Sequence, residues 1–292
     1  MQIQKVKHLH LEEAKKTPNT KHKYIITEKI DGWYVYCDYD RFSGWSNIYS
    51  SANRIIPSME HCFQKYFSKL PNPSSNCRLV MEAYIPDTCF YILNGIFNRS
   101  VDAYDALDVH FKVHDIIYFD DLIKTAITRY EHLFTLEDQG FFSKADRIDV
   151  LSILDISSER KDWLRIFDTV TYGGGEGIIL KQTDGLYCAG KRNSSLMKIK
   201  LEKELDLLCV GAYETFGDKG NRNLNIKLVT KAGIEINVRV GRHEDIDNID
   251  ADNNYIVGKV CVIKCMKINA DGTLREPRFI AISEHKTKEE ID

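Results

Sequence analysis

The stretch Thr27–Gly32, with the sequence TEKIDG, decides the fold, and an alternating aromatic pattern over 33–37 follows it directly. Gly32 lets the backbone turn sharply or pass close to a ligand. Asp31 can stabilise that turn, and its carboxylate lies two residues from the amine of Lys29. An amine held at the start of a strand is a candidate covalent nucleophile, but lysines beside Asp-Gly turns are also common on solvated surfaces. The hexapeptide alone leaves both interpretations open.

Apolar periodicity around this stretch predicts a mixed domain of strands and helices. Two strands, joined by the turn that carries Lys29, are expected within 24–39. Further strands are predicted over 79–85, 111–119, 176–181 and 196–200. Apolar residues at helical spacing predict helices over 59–70, 121–137 and 158–172, and a short helix is expected within 1–22.

The pattern changes near Leu201, where short β-like segments replace the mixture of helices and strands. Strands are predicted over 205–213, 224–230, 234–240, 260–267 and 278–283. Lys231–Gly233 is typical of a hairpin turn between two of them. Several short strands so close together suit a small β-barrel such as the OB-fold. We therefore expect two domains, 1–201 and 202–292.

Composition argues against several classes of protein. The net charge of −3 and the pI near 6.3 disfavour non-specific attraction to polyanions over the whole surface, but they permit a local basic groove. No apolar run is long enough to span a bilayer, and Met1–Lys16 is too polar for a secretory signal. The eight cysteines form no C-x-x-C pair, so we expect no zinc ribbon and a reducing, cytoplasmic location.

Three further patterns place charged residues on the predicted strands. Period two puts Glu82 opposite an apolar face, and Glu176 lies at the entrance of the strand that ends at Lys181. Lys198 and Lys200 would share one face of their strand. Two neighbouring ammonium groups indicate either a solvated edge or a site where a polyanion neutralises them.

Taken in order, these motifs resemble those of the covalent nucleotidyltransferase superfamily of DNA ligases, RNA ligases and mRNA-capping guanylyltransferases. Its signature K-x-D-G matches Lys29–Gly32, and its pattern E-G-aliphatic-aliphatic-x-K matches Glu176–Lys181. The chain looks most like a minimal ATP-dependent DNA ligase of viral or bacteriophage type over nearly its whole length. This resemblance implies an α+β fold, in which a nucleotidyltransferase (adenylation) domain of antiparallel sheets with flanking helices precedes a small β-barrel OB-fold domain.

The resemblance implies that Lys29 attacks the α-phosphate of ATP and forms a covalent lysyl-AMP. The AMP would pass to the 5′-phosphate at a nick in duplex DNA, and attack by the 3′-OH would then seal the strand. Chemistry of this kind depends mainly on positioning and on neutralising charge. The expected cofactors are ATP and Mg²⁺ or Mn²⁺, the expected partner is nicked duplex DNA, and the expected oligomeric state is a monomer.

The same resemblance assigns roles to individual residues. Catalytic roles would belong to Lys29, Asp31, Lys198 and Lys200. Nucleotide-binding roles would belong to Glu28, Lys29, Ile30, Glu82, His114, Lys181, Lys198, Lys200, Arg275 and Arg278. The metal would be held by Glu82 and Glu176, because Mg²⁺ prefers oxygen ligands.

Two of these assignments rest on less regular matches. His114 precedes Asp115 where family members carry an aromatic residue that stacks on the purine, followed by an aspartate. An imidazole can stack on a base, and the alternative is an ordinary strand histidine. Arg275 and Arg278 belong to a segment that resembles the last ligase motif, whose basic residues orient pyrophosphate, and Lys286 could contribute.

The expected DNA contacts depart most from the family pattern. Many members have an arginine two residues after the glycine of the first motif, where this chain has Tyr34. Arg54, with Arg41 in reserve, would contact the 5′-phosphate of the nick. Lys219 and Arg222 would contact DNA from a segment too short to form an encircling latch, so binding should depend on phosphate contacts and on salt.

Two other classes of function stay open. One is an RNA ligase or a GTP-using capping enzyme of the same superfamily, although the R-x-D-K motif of capping enzymes is not found. The other is a non-enzymatic OB-type nucleic-acid binder in which the motif around Lys29 is accidental. A Walker ATPase is disfavoured, because no G-x-x-x-x-G-K-[ST] motif is present and the run Gly173–Gly175 lacks the lysine.

Overall fold

The computed structural model divides the chain into two units, Met1–Lys200 and Leu201–Asp292, each with its own hydrophobic core. It describes residues 1–16, 19–86, 88, 90–143, 145–216, 220, 222–241, 255–269, 271–283 and 285–292. No helix within these ranges is long and apolar enough to cross a membrane. The seven cysteines within them are free thiols.

Strands and short helices alternate in the first unit. Its strands are β1 (Lys5–His8), β2 (Tyr24–Glu28), β3 (Trp33–Asp40), β4 (Gly44–Ser50), β5 (Cys77–Tyr84), β6 (His110–Tyr118), β7 (Ile148–Val150), β8 (Ile153–Ser157), β9 (Gly177–Gln182) and β10 (Arg192–Lys200). Its α-helices are α1 (Leu11–Lys16), α2 (Glu60–Lys65), α3 (Phe90–Phe97), α4 (Ala126–Asp138) and α5 (Arg160–Tyr172). Short 3₁₀ turns lie at Pro57–Met59, Phe67–Lys69 and Tyr104–Asp108.

These strands form two five-stranded sheets. Sheet A has the order β1-β10-β9-β2-β8, and sheet B has the order β4-β3-β5-β6-β7. Neighbouring strands are antiparallel, except that β1 pairs with β10 and β6 pairs with β7 in parallel. Because β2 belongs to sheet A and β3 to sheet B, the turn Lys29–Gly32 is one of the links between the sheets. The candidate nucleophile therefore lies where the two sheets meet.

The alternation along β5 determines which face of sheet B is available for chemistry. Leu79, Met81 and Ala83 are fully buried in the main hydrophobic core, as period two predicts. Glu82 lies on the other face, directly opposite Tyr34 of the neighbouring strand β3. One face of sheet B is thus packed with apolar side chains, and the other carries polar groups.

Sheet A is divided in the same way. Trp163 and Phe167 on the apolar face of α5 pack against Leu180 of β9 and Ile199 of β10. The alternate residues of these strands, which include Lys181 and Lys198, lie on the opposite face. The polar faces of sheets A and B together line the cavity described below.

Two predicted helices differ from the structure. The helix expected over 59–70 is divided into two 3₁₀ turns and the six-residue α2. The helix expected over 121–137 begins only at Ala126, because the side chain of Thr125 caps it by accepting a hydrogen bond from the Thr128 amide. Ile123 therefore precedes the helix instead of lying on its apolar stripe, and it is 78% exposed.

The second unit is a β structure. Its strands are β11 (Lys203–Phe216), β12 (Arg222–Val229), β13 (Glu235–Arg239), β14 (Val260–Cys265), β15 (Lys267–Ile268), β16 (Leu274–Arg275) and β17 (Arg278–Ile282). Five of them form an antiparallel sheet with the order β13-β12-β11-β14-β17, and β15 pairs with β16. A bulge between Cys209 and Gly211 bends the long strand β11.

The closed barrel predicted from the strand count is not seen in this unit. Strands β13 and β17 form the two edges of the sheet and approach each other. Within the described residues they are not hydrogen-bonded to each other, so the ladder stays open at this point. The unit is an open, curved antiparallel sheet with one apolar core.

Candidate active site

A cavity of about 270 Å³ lies between the polar faces of sheets A and B in the first unit. Seven of the residues predicted to bind nucleotide line it, namely Glu28, Lys29, Ile30, Glu82, His114, Lys181 and Lys198. Its lining combines residues from distant parts of the chain, because β2, β9 and β10 supply one wall and β3, β5 and β6 supply the other.

At one end, Lys29 forms an ion pair with Glu176. The Lys29 Nζ atom donates to Glu176 Oε2 at 2.5 Å, and the Lys29 amide donates to the carbonyl of Gly177 at 2.9 Å. The side chains of Lys29 and Glu176 are only 18% and 11% exposed. Within the described residues, the buried Oε1 atom of Glu176 has no hydrogen-bond partner. This oxygen therefore keeps an unused acceptor position beside Lys29.

Glycine at position 32 is required by the close approach of β3 to β5. A Cβ atom at Gly32 would lie 2.3 Å from the Ala83 carbonyl oxygen and 2.9 Å from Glu82 Cγ. The Gly32 amide instead donates to the Glu82 carboxyl group. This contact brings Glu82 close to Lys29, although the two residues are distant in sequence.

Glu82 belongs to a group of four charged residues, Lys29, Asp31, Glu82 and Glu176, which we call the lysine–carboxylate cluster. Burial, together with the charges of Glu176 and Asp31, raises the pKa of Glu82 to about 8, against the opposing effect of Lys29. The cluster therefore holds more carboxyl groups than its single lysine can neutralise.

This donor set fits a divalent metal ion. Mg²⁺ and Mn²⁺ prefer oxygen ligands, and the cluster supplies carboxyl oxygens from Glu82 and Glu176, including the unpartnered Oε1 atom of Glu176. A cation would also relieve the repulsion that disfavours ionised Glu82.

The paired lysines of β10 differ in environment. Lys198 lines the cavity, whereas Lys200 is 3% exposed and lies opposite Gly177 in the β9–β10 register. A Cβ atom at Gly177 would lie 2.2 Å from the Ile199 carbonyl oxygen, so only glycine permits this close pairing. Lys198 is positioned to meet a ligand in the cavity, and Lys200 is packed beside the strand that follows Glu176.

At the other end of the cavity lies a buried set of charges that we call the Asp115 network, formed by His114, Asp115, Arg129 and Lys181. Arg129 binds Asp115 through two hydrogen bonds, from Nε to Oδ1 at 2.7 Å and from Nη2 to Oδ2 at 3.1 Å. Lys181 Nζ donates to Asp115 Oδ2 at 2.9 Å and to the His114 carbonyl at 2.8 Å. Arg129 and Lys181 hold the pKa of the Asp115 carboxyl well below its usual range, against the effect of burial.

His114 is held as a neutral ring in this network. Burial and the charge of Lys181 lower the pKa of its imidazole to about 4. Its ring lies 6.0 Å from that of Tyr34, at an interplanar angle of 58°. Tyr34 therefore packs beside the residue predicted to stack on the base.

Several residues that line or support the cavity were not predicted from the sequence, among them Gln4, Tyr187 and Arg129. Tyr34 donates a hydrogen bond to the hydroxyl of Tyr187, which accepts another from the Gln4 amide at 2.9 Å. The third residue, Arg129, is 3% exposed and lies among the buried positions of α4 with Ala126, Tyr130 and Leu133. The inward helical position of this arginine was a usable signal, whereas no sequence pattern indicated Gln4 or Tyr187.

The remaining predicted residues lie away from the cavity lining or outside the described residues. Arg41 lies in the β3–β4 turn, and Arg54 is exposed and follows Asn53, which has a positive φ of 58°. Neither is among the described residues that line the cavity.

In the second unit, Arg275 lies in β16, Arg278 pairs with Glu202, and Lys286 pairs with Asp206. Arg222 begins β12, and Lys219 lies outside the described residues.

A comparison with protein families gives one match. The model described as the ATP dependent DNA ligase domain matches residues 7–200. This range contains both sheets except the first two residues of β1, and the whole cavity lining except Gln4 and Val6. No curated protein sequence matches the chain.

Solved structures share the fold at low sequence identity. A Lig E DNA ligase, described in terms of DNA binding with a minimal scaffold, is 17% identical over 97% of this chain and 99% of its own, with a TM-score of 0.73. The ATP-dependent DNA ligase of bacteriophage T7, in complex with ATP, is 17% identical over 96% and 98%, with a TM-score of 0.57. The Chlorella virus DNA ligase-adenylate is 17% identical over 98% and 100%, with a TM-score of 0.51.

Proposed function

This chain belongs to the ATP-dependent DNA ligase domain family, and we propose that it seals 3′-OH/5′-phosphate nicks in duplex DNA through a lysyl-AMP and a DNA-adenylate. One observation carries the proposal: Lys29, the candidate nucleophile, lines the cavity together with Glu82, Lys181 and Lys198, and its amine is held by Glu176. The similar structures with bound ATP and with adenylate support ATP as the nucleotide.

In the first step, the Lys29 amine forms a bond to the α-phosphorus of ATP. The bond from this phosphorus to the bridging oxygen breaks, and pyrophosphate leaves with the electron pair. Glu176 Oε2 lies 2.5 Å from Nζ and is the nearest acceptor for the proton that the ammonium group must lose. Lys198 and Lys200 stabilise the charge that develops on the phosphate oxygens.

Glu82 and Glu176 would hold a Mg²⁺ or Mn²⁺ ion, which would supply charge neutralisation for the phosphates. Asp31 keeps the turn that carries Lys29 in place and adds a third carboxylate to the cluster. The crowding of these carboxylates around one lysine is the physical reason for assigning the metal to this end of the cavity.

The remaining steps use the same residues. An oxygen of the DNA 5′-phosphate attacks the lysyl-AMP phosphorus, and the phosphorus–nitrogen bond to Lys29 breaks. The 3′-OH then attacks the 5′-phosphate, forms the phosphodiester and releases AMP. Arg54, or else Arg41, contacts the nick phosphate, and Lys219 and Arg222 contact the DNA backbone.

The base is bound at the Asp115 network, with His114 stacking on adenine and with Lys181, Glu28 and Ile30 completing the site.

For the second unit we propose an OB-type fold, supported by the five-stranded sheet order and by the approach of β13 to β17. There Arg275 and Arg278 would orient pyrophosphate during the first step. We propose that the protein acts as a monomer in the cytoplasm.

The test is sealing of a singly nicked duplex with Mg²⁺ and either ATP, GTP or NAD, using DNA or RNA for the 3′-OH strand. We expect ATP alone to support sealing of the all-DNA nick. Lys29→Ala should abolish both sealing and transfer of the AMP label to the protein, because no other amine occupies that position. Lys15→Ala is the matched control, since Lys15 pairs with Glu12 on the surface of α1.

Each other outcome has a defined meaning. Sealing only with an RNA strand, or labelling only by GTP, would replace the proposal by an RNA ligase or a capping guanylyltransferase. Labelling that survives Lys29→Ala would exclude Lys29 as the nucleophile.

A further inference from the structure

Arg129 belongs to none of the sequence motifs identified above. Its guanidinium group comes from α4 and binds three acceptor atoms, both oxygens of Asp115 and the Lys124 carbonyl at 2.7 Å. Asp115 Oδ1 also accepts from the Ile116 amide at 2.9 Å, and Oδ2 accepts from Lys181. Two hydrogen bonds therefore saturate each oxygen of Asp115.

The charges in this network do not cancel. Arg129, Asp115 and Lys181 are 3%, 5% and 8% exposed, so two cations share one carboxylate away from solvent. A buried pair is costly to form, and an additional unpaired cation costs more. The structure thus keeps a net positive charge at one end of the cavity, where a single Asp115–Lys181 pair would have been neutral.

Lys181 has donor capacity left for a ligand. An ammonium group carries three N–H donors. In the described part of the chain, Nζ makes two hydrogen bonds, to Asp115 and to the His114 carbonyl, and lies 4.8 Å from the centre of the Tyr130 ring; both Lys181 and Tyr130 line the cavity. Burial, and to a smaller extent Arg129, lower the pKa of Lys181, and Asp115 opposes them. Because Asp115 is shared, it neutralises Lys181 only in part.

We propose that Arg129 is a positioning residue for purine selection, because it shares the charge of Asp115 and so leaves Lys181 as a fixed cationic donor toward the base. This inference rests on the proposed function, whose nucleotide supplies the base. Adenine presents a ring-nitrogen acceptor, N1, where guanine presents an N–H donor. An ammonium group cannot accept that hydrogen, and an unpaired buried donor discriminates strongly against the wrong ligand.

The test measures the first step alone, as formation of the labelled lysyl-nucleotide from ATP or GTP at several concentrations. For Arg129→Met we expect the KM for ATP to rise by about tenfold or more and the preference for ATP over GTP to fall by a similar factor. The kcat for ATP should change by less than about threefold, because Arg129 does not contact the reacting phosphate. Arg129→Lys, which keeps a cation, should recover part of the preference.

Arg165→Met is the matched control. Arg165 also pairs with an aspartate, since its Nη2 lies 3.4 Å from Asp155 Oδ2, but it is exposed on α5. Arg165→Met should leave the KM for ATP and the preference for ATP over GTP unchanged. A reduced melting temperature with unchanged base preference in Arg129→Met would assign Arg129 a structural role only and overturn the proposal.

A double variant keeps the proposal testable where Arg129→Met fails to fold. In the double variant Arg129→Met/Asp115→Asn, the Asp115 carboxylate is removed together with its partner Arg129. The network then again has one net positive charge, on Lys181. We expect this variant to bind ATP better than Arg129→Met does, or to fold where Arg129→Met does not, and to prefer ATP over GTP. A folded double variant that accepts GTP as readily as ATP would contradict the proposal.

Different results would contradict the proposed function and the role of Arg129. A wild-type protein that forms no lysyl-nucleotide with any nucleotide would defeat the proposed function. A wild-type protein that is labelled by ATP, together with a folded Arg129→Met variant of unchanged KM and base preference, would defeat only the role of Arg129.

Discussion

The two ends of the cavity use the same residue types in opposite ways. In the Asp115 network, one carboxylate is saturated by four donors and outnumbered by two cations. In the lysine–carboxylate cluster, three carboxyl groups surround one lysine, and Glu176 Oε1 has no partner among the described residues. A saturated network is a fixed surface for recognition. A cluster with excess carboxylate is incomplete without a cation, which is the condition required for binding metal and phosphate.

The largest expected effect comes from replacing Glu176 by glutamine. The change removes the acceptor for the Lys29 proton and one metal ligand, so formation of the lysyl-nucleotide should fall by about 10²–10³-fold. The melting temperature should stay within a few degrees, because the amide oxygen of glutamine can still accept the hydrogen bond from Lys29 Nζ. If Glu176→Gln instead lowered the melting temperature strongly and left the rate of lysyl-nucleotide formation unchanged, the lysine–carboxylate cluster would be a structural network like the one around Asp115.

The corresponding change in the saturated network should have the opposite result. Asp115→Asn leaves Arg129 and Lys181 as buried cations without a counter-charge, so the free energy of unfolding should fall by about 3–5 kcal/mol. Urea denaturation of the wild type and of Asp115→Asn measures this difference. Asp155→Asn is the control, because Asp155 pairs with the exposed Arg165 and should lose at most about 1 kcal/mol.

The smallest expected effect is a pH dependence of stability that distinguishes the two ends. The pKa of Glu82 is raised to about 8, so between the ordinary glutamate pKa and about pH 8 the folded state holds a proton that the unfolded state has lost. The contribution of Glu82 to the free energy of unfolding is therefore full below the ordinary glutamate pKa and is lost as pH rises through about 8. For Asp115, whose pKa is lowered, the contribution is present above the ordinary aspartate pKa and is lost as pH falls below it.

Urea denaturation at pH 5 and pH 8.5, without metal, measures the first of these dependences. Glu82→Gln should remove part of the decline in stability toward alkaline pH and leave the acid side unchanged. An identical alkaline decline in the wild type and in Glu82→Gln would show that another group is responsible.

Local patterns in the sequence accounted for much of the framework. Period two identified the buried face of β5 correctly, and helical spacing identified the inward residues Trp163, Ile166 and Phe167 of α5. In the first unit, strands β1, β4, β7 and β8 and helix α3 were not predicted. The register of β1 is set by its pairing with β10, a contact that no local pattern can reveal.

The candidate site shows the same limit. Lys29, Glu82 and Lys181 were found because each belongs to a short motif, and all three line the cavity. Arg129 and Tyr187 were missed, because their importance depends on which strands face them in the folded protein. The role of Arg129 follows from its hydrogen bonds to Asp115 on a different element, and that of Tyr187 from its hydrogen bond to Tyr34, which lies far from it in sequence.

The pairing of β1 with β10 has a consequence for the order of folding. Gln4, which lines the cavity, donates from Nε2 to Ser195 Oγ at 3.1 Å across 191 positions of the chain. Contacts of such long sequence separation form late, because the entropy of closing the loop must be overcome first. During synthesis, the cavity wall therefore cannot be completed until β10 has left the ribosome. Acquisition of nucleotide binding would then report completion of the first unit.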